Sequence, residues 1–257
     1  MDRKHPEVTL VSEIKSSHVQ AWINDRSKNW TKSVLDNHIS RIKYLEQQTK
    51  KCYGQDNVSF YKKFDKPVTK EAVRTKKMER NDFDRLKESM KDCKSFARDC
   101  IEITSRIGLR IDENSCLKRE HINLENKTIY VAPEGAKNGR SRTIPIQDKD
   151  IPYFKNLLER YPGDSYFTTV KTDSLNTCIR RYMKKTICED GKTLHSKLPR
   201  STDHAIRKLF ATTEMQKLRG LEPLENKREE MKCWGKVCDI LGHSENRTNL
   251  YKTYVKD

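Results

Sequence analysis

With 257 residues the chain is long enough for one large domain or two smaller ones, and 53 Lys and Arg against 37 Asp and Glu give a formal charge of +16. That surplus favours a polyanionic partner, most simply nucleic acid. No apolar run is long enough to cross a bilayer and no signal-peptide core is present, so the composition sets aside membrane and secreted classes and implies a cytoplasmic protein.

Taken in order, residues 7–60 read as mostly helical and basic. Val8 to Ile14 is a short helix or an extended lead-in, and Ser17 is a candidate cap for a helix carrying Val19, Trp22 and Ile23. A second helix is expected from near Thr31, since Val34, Leu35, His38, Ile39, Ile42 and Leu45 recur at three- and four-residue steps. Lys28, Lys32, Arg41, Lys43, Lys50 and Lys51 surround that stripe, as ordinary solvation or as a DNA-facing surface. The Lys-rich stretch around Pro67 has poor helical pattern, which places a linker at 66–78 between an N-terminal domain (1–65) and a larger one (79–257).

Helix resumes at Asn81 or Asp82. Phe83, Leu86, Met90, Cys93, Phe96, Ala97, Cys100, Ile101 and Ile103 continue one periodicity up to Gly108. Leu109-Arg110-Ile-Asp-Glu113 then reads as a sharp turn into a further helix, with Arg110 at the turn and Glu113 early in the helix. Three short strands are expected at 121–124, 128–132 and 142–146, with Asn126 turning the first pair and the Gly-containing run 134–139 the second. Lys137 therefore lies near a hairpin tip, where an isolated lysine is most often simply solvated. Beyond Pro152 helices dominate: 153–158, then one capped by Thr172 or Asp173, then a basic loop at 188–200. A helix capped by Ser201 or Thr202 follows, then a looser stretch at 218–228, and last a helix from Met231 to Leu241 stopped by Gly242. On the helix after Ser201, His204 and Arg207 stand three apart, so both are expected on one face opposite Ile206, Leu209, Phe210 and Thr213. Alone, that pair is more often a solvated basic face.

The eight cysteines (52, 93, 100, 116, 178, 188, 233 and 238) form no Cys-x-x-Cys and no zinc spacing. Buried reduced thiols are expected, with no disulfide framework, metal or cofactor.

Several motifs now stand in order: Gly108-Leu-Arg110-x-x-Glu113, Lys137 ahead of Arg142-Thr-Ile-Pro-Ile146, His204-x-x-Arg207, Leu241-Gly-His243 and a C-terminal tyrosine. Together they resemble the tyrosine recombinase (phage-type integrase) family, specifically over about 70–257. Over 1–65 the likeness rests only on a basic helical segment in the right place.

The resemblance implies a mainly helical fold with a small antiparallel sheet, arranged as a two-domain, C-shaped DNA clamp. A helical core-binding domain would precede the catalytic domain. It also implies a metal-independent recombinase that cleaves and rejoins DNA through a 3′-phosphotyrosyl intermediate, integrating or excising a mobile element. A dimer resolvase of the same chemistry and a non-catalytic DNA-binding relative are the alternatives. The implied partners are double-stranded DNA, three further copies of the chain in a homo-tetramer on paired sites, and an accessory directionality factor. The implied catalytic residues are Arg110, Lys137, His204, Arg207 and His243, supported by Glu113. The nucleophile is Tyr251, from Thr248-Asn-Leu-Tyr251, with Tyr254 as the alternative. The two tyrosines stand eight and eleven residues beyond His243, to either side of the family's usual spacing.

Overall fold

The computed structural model describes residues 8–54, 56–67, 77–163, 165–199, 202–243 and 248–255. The chain divides into two compact units, 1–73 and 74–257. Most of the expected linker, 68–76, lies outside the described residues.

In the first unit α1 (Ser16–Arg26) and α2 (Lys32–Tyr53) pack with the extended segment 58–64 around Val19, Ile23, Leu35, Val58, Phe60 and Phe64. Ser17 is not the cap of α1. The chain arrives extended at Lys15, whose amide donates to His18 Nδ1 (3.3 Å), so Ser17 falls inside the first turn. Thr31 does occupy the N-cap of α2, and Gly54 ends that helix with φ +61°. The expected stripe on α2 is only partly covered. Leu35 is buried and Ile39 and Ile42 pack at the edge of the core, but Val34 and Leu45 are exposed. Two helices and one extended segment offer too little surface to cover a wider face.

The second unit begins with α3 (Arg80–Ser89) and α4 (Ala97–Ile107). The sequence suggested one continuous helix here, and the structure breaks it at 90–96. Met90 and Phe96 are buried at the two ends of the break, Ser95 Oγ accepts from the Ala97 amide (3.3 Å), and Arg98 Nη1 donates to the Lys91 carbonyl (2.6 Å). The apolar repeat runs through the turn because both helices face one core, which hides the break from a periodicity argument.

Gly108 ends α4 with φ +70°, and α5 (Ile111–Ser115) starts at once. Then come β1 (Ile122–Asn123), β2 (Thr128–Val131) and β3 (Arg142–Pro145), antiparallel in the order β1-β2-β3 with Ile129 opposite Ile144. Each strand is shorter than expected. Ile129, Val131, Ile144 and Ile146 point into the core while Tyr130 faces outward. Helices α6 (Ile151–Arg160), α7 (Thr172–Lys185), α8 (Leu194–Lys197), α9 (Asp203–Arg219), α10 (Lys227–Leu241) and α11 (Thr248–Tyr254) complete the unit. Lys171 is the N-cap of α7, so Thr172 and Asp173 are its first two helical residues, where the Asp173 carboxylate suits the positive end of the helix. The short α8 lies inside the expected basic loop.

α9 is the central element. Ala205, Ile206 and Leu209 join the main core with α4 and α7, while Phe210, Ala211 and Met215 join a second cluster with Trp234, Val237, Cys238, Leu241 and Tyr254. Residues 205–212 are all buried, so α9 has no polar face opposite an apolar stripe along this stretch. His204 and Arg207 separate accordingly: His204 is exposed and Arg207 wholly buried. Thr202 is the N-cap without a side-chain capping bond, and Ser201 lies outside the described residues. Of the eight cysteines three are buried, four half-buried, and Cys52 exposed. Among the described residues no three His, Cys, Asp or Glu are placed to hold a metal, and no helix is long and apolar enough to cross a membrane.

Candidate active site

The site is built on the turn after α4. With φ +70° and the Phe210 ring against its Cα, position 108 has room for neither a side chain nor an ordinary backbone conformation. Two residues on, Arg110 is the N-cap of α5, and the Glu113 carboxylate reaches back to its amide (2.8 Å). Glu113 is buried, and three guanidiniums converge on it. Arg110 Nη1 donates at 2.9 Å, Arg142 donates through Nη1 and Nη2 at 2.8 and 2.9 Å, and Arg207 Nη1 lies 3.6 Å away. Set against the Glu113 carboxylate alone, the three positive charges leave a surplus of two. Burial alone would push the Glu113 carboxyl up. The Arg142 hydrogen bonds, the charges of Arg207 and Arg142 and the Arg110 amide outweigh it and hold the group at about 2.

Arg207 is anchored by backbone. Its Nη1 donates to the Gly108 carbonyl and its Nη2 to the Leu241 carbonyl, at the C-terminal ends of α4 and α10, where cations are favoured. Burial, and then the charge of Arg110, lower it to about 10, so it remains a cation at neutral pH. Gly242 ends α10 with φ +65°, and the turn delivers His243, whose Nδ1 stands 3.4 Å from Arg110 Nη2. The ring of Tyr254 meets both histidines edge-on, 5.3 Å from His204 and 5.6 Å from His243 between centroids.

The structure thus brings together Arg110, Glu113, Arg207 and His243, with His204 joined through the Tyr254 ring. Lys137 is exposed on the turn Lys137–Gly139 between β2 and β3 and makes no contact with the cluster among the described residues. Tyr251 is also apart. Its hydroxyl donates to Glu230, which pairs with Arg219 at 2.8 Å, and its ring lies edge-on to Trp234. Burial and then the Glu230 hydrogen bond push its phenol up to about 12. Arg219, Glu230 and Tyr251 line a cavity of about 1220 Å³.

Two residues of the site escaped the sequence reading. Arg142 was assigned only to a strand. Its signal is the period-two alternation, because Arg142, Ile144 and Ile146 share one face, and a charge on the inward face of a strand needs a buried partner. Asp203, at the first turn of α9, is fully buried beneath the cluster and accepts from Thr104 Oγ1 (2.6 Å), which in turn accepts from Asn114 Nδ2 (2.9 Å). Burial pushes its carboxyl up to about 7. Nothing in the local sequence marks it.

Tyrosine recombinase XerA of Pyrococcus furiosus is 33% identical over 111 residues, which are 43% of this chain and 37% of that protein. The match therefore spans well under half of that relative. The structure of the Tn1549 transposon integrase in complex with a circular intermediate DNA aligns with a TM-score of 0.67 at 16% identity, covering 95% of this chain and 82% of that one. A lambda integrase tetramer bound to a Holliday junction gives a TM-score of 0.66 at 15% identity, over 93% of this chain and 64% of that one. At these identities the structural likeness is one of fold. Residues 76–218, more than half of the chain, match the Phage integrase family, and the chain belongs to that family.

Proposed function

We propose that this protein is a site-specific tyrosine recombinase that cleaves and rejoins double-stranded DNA during integration or excision of a mobile element. The convergence of Arg110, Arg142 and Arg207 on one buried carboxylate, with a surplus charge of two and His243 at its edge, carries the reading. Such a centre suits a phosphodiester whose transition state gains negative charge on its non-bridging oxygens.

In the proposed reaction a tyrosine oxygen attacks phosphorus, the bond from phosphorus to the 5′-oxygen breaks, and a 3′-phosphotyrosyl link keeps the phosphoryl group activated for rejoining. Arg110 and Arg207 hold the non-bridging oxygens, His243 donates to one of them, and His204 takes the tyrosine proton. Lys137 supplies a proton to the leaving 5′-oxygen when DNA draws its turn inward. Glu113 holds the arginines and does not react. The guanidiniums supply the positive charge, so the reaction needs no metal. The first unit would close with the second around DNA, most affinity would come from phosphate contacts, and four copies would act on two paired sites. The same site would serve a dimer resolvase.

Tyr251 is the nucleophile in this reading, from the Thr248-Asn-Leu-Tyr251 pattern, and the DNA complex releases it from Glu230. The Tyr254 ring, set against both imidazoles, favours the second assignment. Denaturing gels of covalent adducts on a nicked suicide substrate, with EDTA present, separate the two. An adduct that persists in Tyr254→Phe and vanishes in Tyr251→Phe supports Tyr251. The reverse pattern transfers the role to Tyr254. Tight DNA binding with no adduct in the wild type would leave a non-catalytic DNA-binding protein.

A further inference from the structure

Arg142 makes three directional contacts in the cluster and has no role in the mechanism above. Both of its terminal nitrogens bind Glu113, one to each carboxylate oxygen, and its Nε donates to the Ile240 carbonyl at 2.8 Å. It therefore touches three parts of the site at once: β3, which continues from the Lys137 turn, the carboxylate under Arg110 and Arg207, and the last turn of α10 ahead of His243. The fit is close on the far side as well. A Cβ at Gly242 would lie 2.7 Å from Arg142 Nη1, so the turn that delivers His243 is shaped around this guanidinium. Fork-to-fork geometry of this kind fixes orientation as well as charge, which a lysine cannot reproduce.

We propose that Arg142 is a positioning residue of the strand-transfer reaction, which keeps Glu113 ionised and oriented and ties the Lys137-bearing connection to the turn that carries His243. The proposal rests on the recombinase reading above. Glu113 is faced by Arg110 and Asp112 from its own segment, by Arg142 from β3 and by Arg207 and Asp203 from α9, with carbonyls from the end of α10. Arg142 supplies the largest of the influences that oppose burial at Glu113. Without it, burial gains ground and the carboxyl titrates closer to neutrality. A protonated Glu113 would then donate a hydrogen bond where the arginines need an acceptor.

The test uses the full chain and single-turnover cleavage of the nicked substrate, for wild type, Arg142→Lys and Arg142→Gln. Arg142→Gln should cleave about 10²-fold more slowly while its DNA affinity is unchanged. Its rate should also begin to fall at a higher pH on the acid side than the wild-type rate does, because loss of the Arg142 contacts moves the Glu113 carboxyl upward. Arg142→Lys should recover the acid limb and only part of the rate, because it keeps the charge and loses the fork. Carbon-13 titration of the Glu113 carboxyl gives a second readout that needs no activity. An unshifted carboxyl in Arg142→Gln overturns the proposal, as does cleavage at the wild-type rate or a loss of DNA binding that parallels the loss of cleavage. If the wild type traps no DNA, the recombinase reading fails by itself, and the positioning role in strand transfer falls with it even if the carboxyl shifts.

Discussion

Two buried carboxylates in the second unit meet arginine in opposite ways. Glu113 and Glu230 are 3% and 5% exposed, so burial does not distinguish them. Around Glu113 three guanidiniums outnumber the one carboxylate they meet, whereas Glu230 pairs with the single cation Arg219 and also accepts from the Leu224 amide (3.1 Å) and the Tyr251 hydroxyl. The first arrangement is unfinished without an anion. The second is complete and holds a phenol in its protonated form. On the proposed function, charge stoichiometry, more than the presence of an acid–base pair, separates a place suited to a phosphate from a place that stores a side chain.

The sharpest way to break the first arrangement is at Arg207. Arg207→Ala should lower adduct formation at least 10²–10³-fold in the trapping assay and also lower the melting temperature, because the Gly108 and Leu241 carbonyls and Glu113 lose a partner in a dry site. Next is Glu113. Its folded value of about 2 lies below the ordinary 4.5, so it contributes stability that is fully present above pH 4.5 and lost as pH falls toward 2, on the order of 3 kcal/mol in all. Denaturant melts of Glu113→Gln should therefore be less stable than wild type at neutral pH and should lose much of that acid dependence. A wild-type slope retained in the variant would assign it to other carboxylates.

The second arrangement is probed by Glu230→Gln. The Tyr251 phenol should fall from about 12 toward the ordinary 10, read by ultraviolet titration against Tyr251→Phe. If Tyr251 is the nucleophile, the same change should quicken cleavage, and slower cleavage would argue that Glu230 assists the reaction. The smallest effect is expected where neither arrangement is touched. Lys91 pairs with Glu88 in the open, and Lys91→Ala should leave the melting temperature and the trapping yield unchanged.

Local rules made part of this legible in the sequence. Gly108 and Gly242 punctuate helices that end where the spacing placed them, and Arg110 follows the first glycine closely enough that its position at a turn needed no tertiary information. Residues three apart on a helix share a face only in projection, however. Burial of α9 from both sides sent Arg207 inward and left His204 at the first, open turn. The break at 90–96 was hidden because both helices contribute to one core. Arg142 and Glu230 were missed because each is defined by a partner far along the chain, Glu113 in one case and Tyr251 in the other. The order of Tyr251 and Tyr254 around the cluster depends on how α11 packs on α9 and α10, which no spacing rule decides.

The anchoring of Arg207 has a consequence for synthesis of the protein. Its two carbonyl partners come from residues 108 and 241, and the second is synthesised late in the second unit. A nascent or truncated chain that stops short of α10 has the arginine without its clamp, and with it no fixed cradle for a phosphate. On the proposed function, the capacity to cut DNA would be deferred until α10 is in place, and chains that stop short of it would lack a complete site.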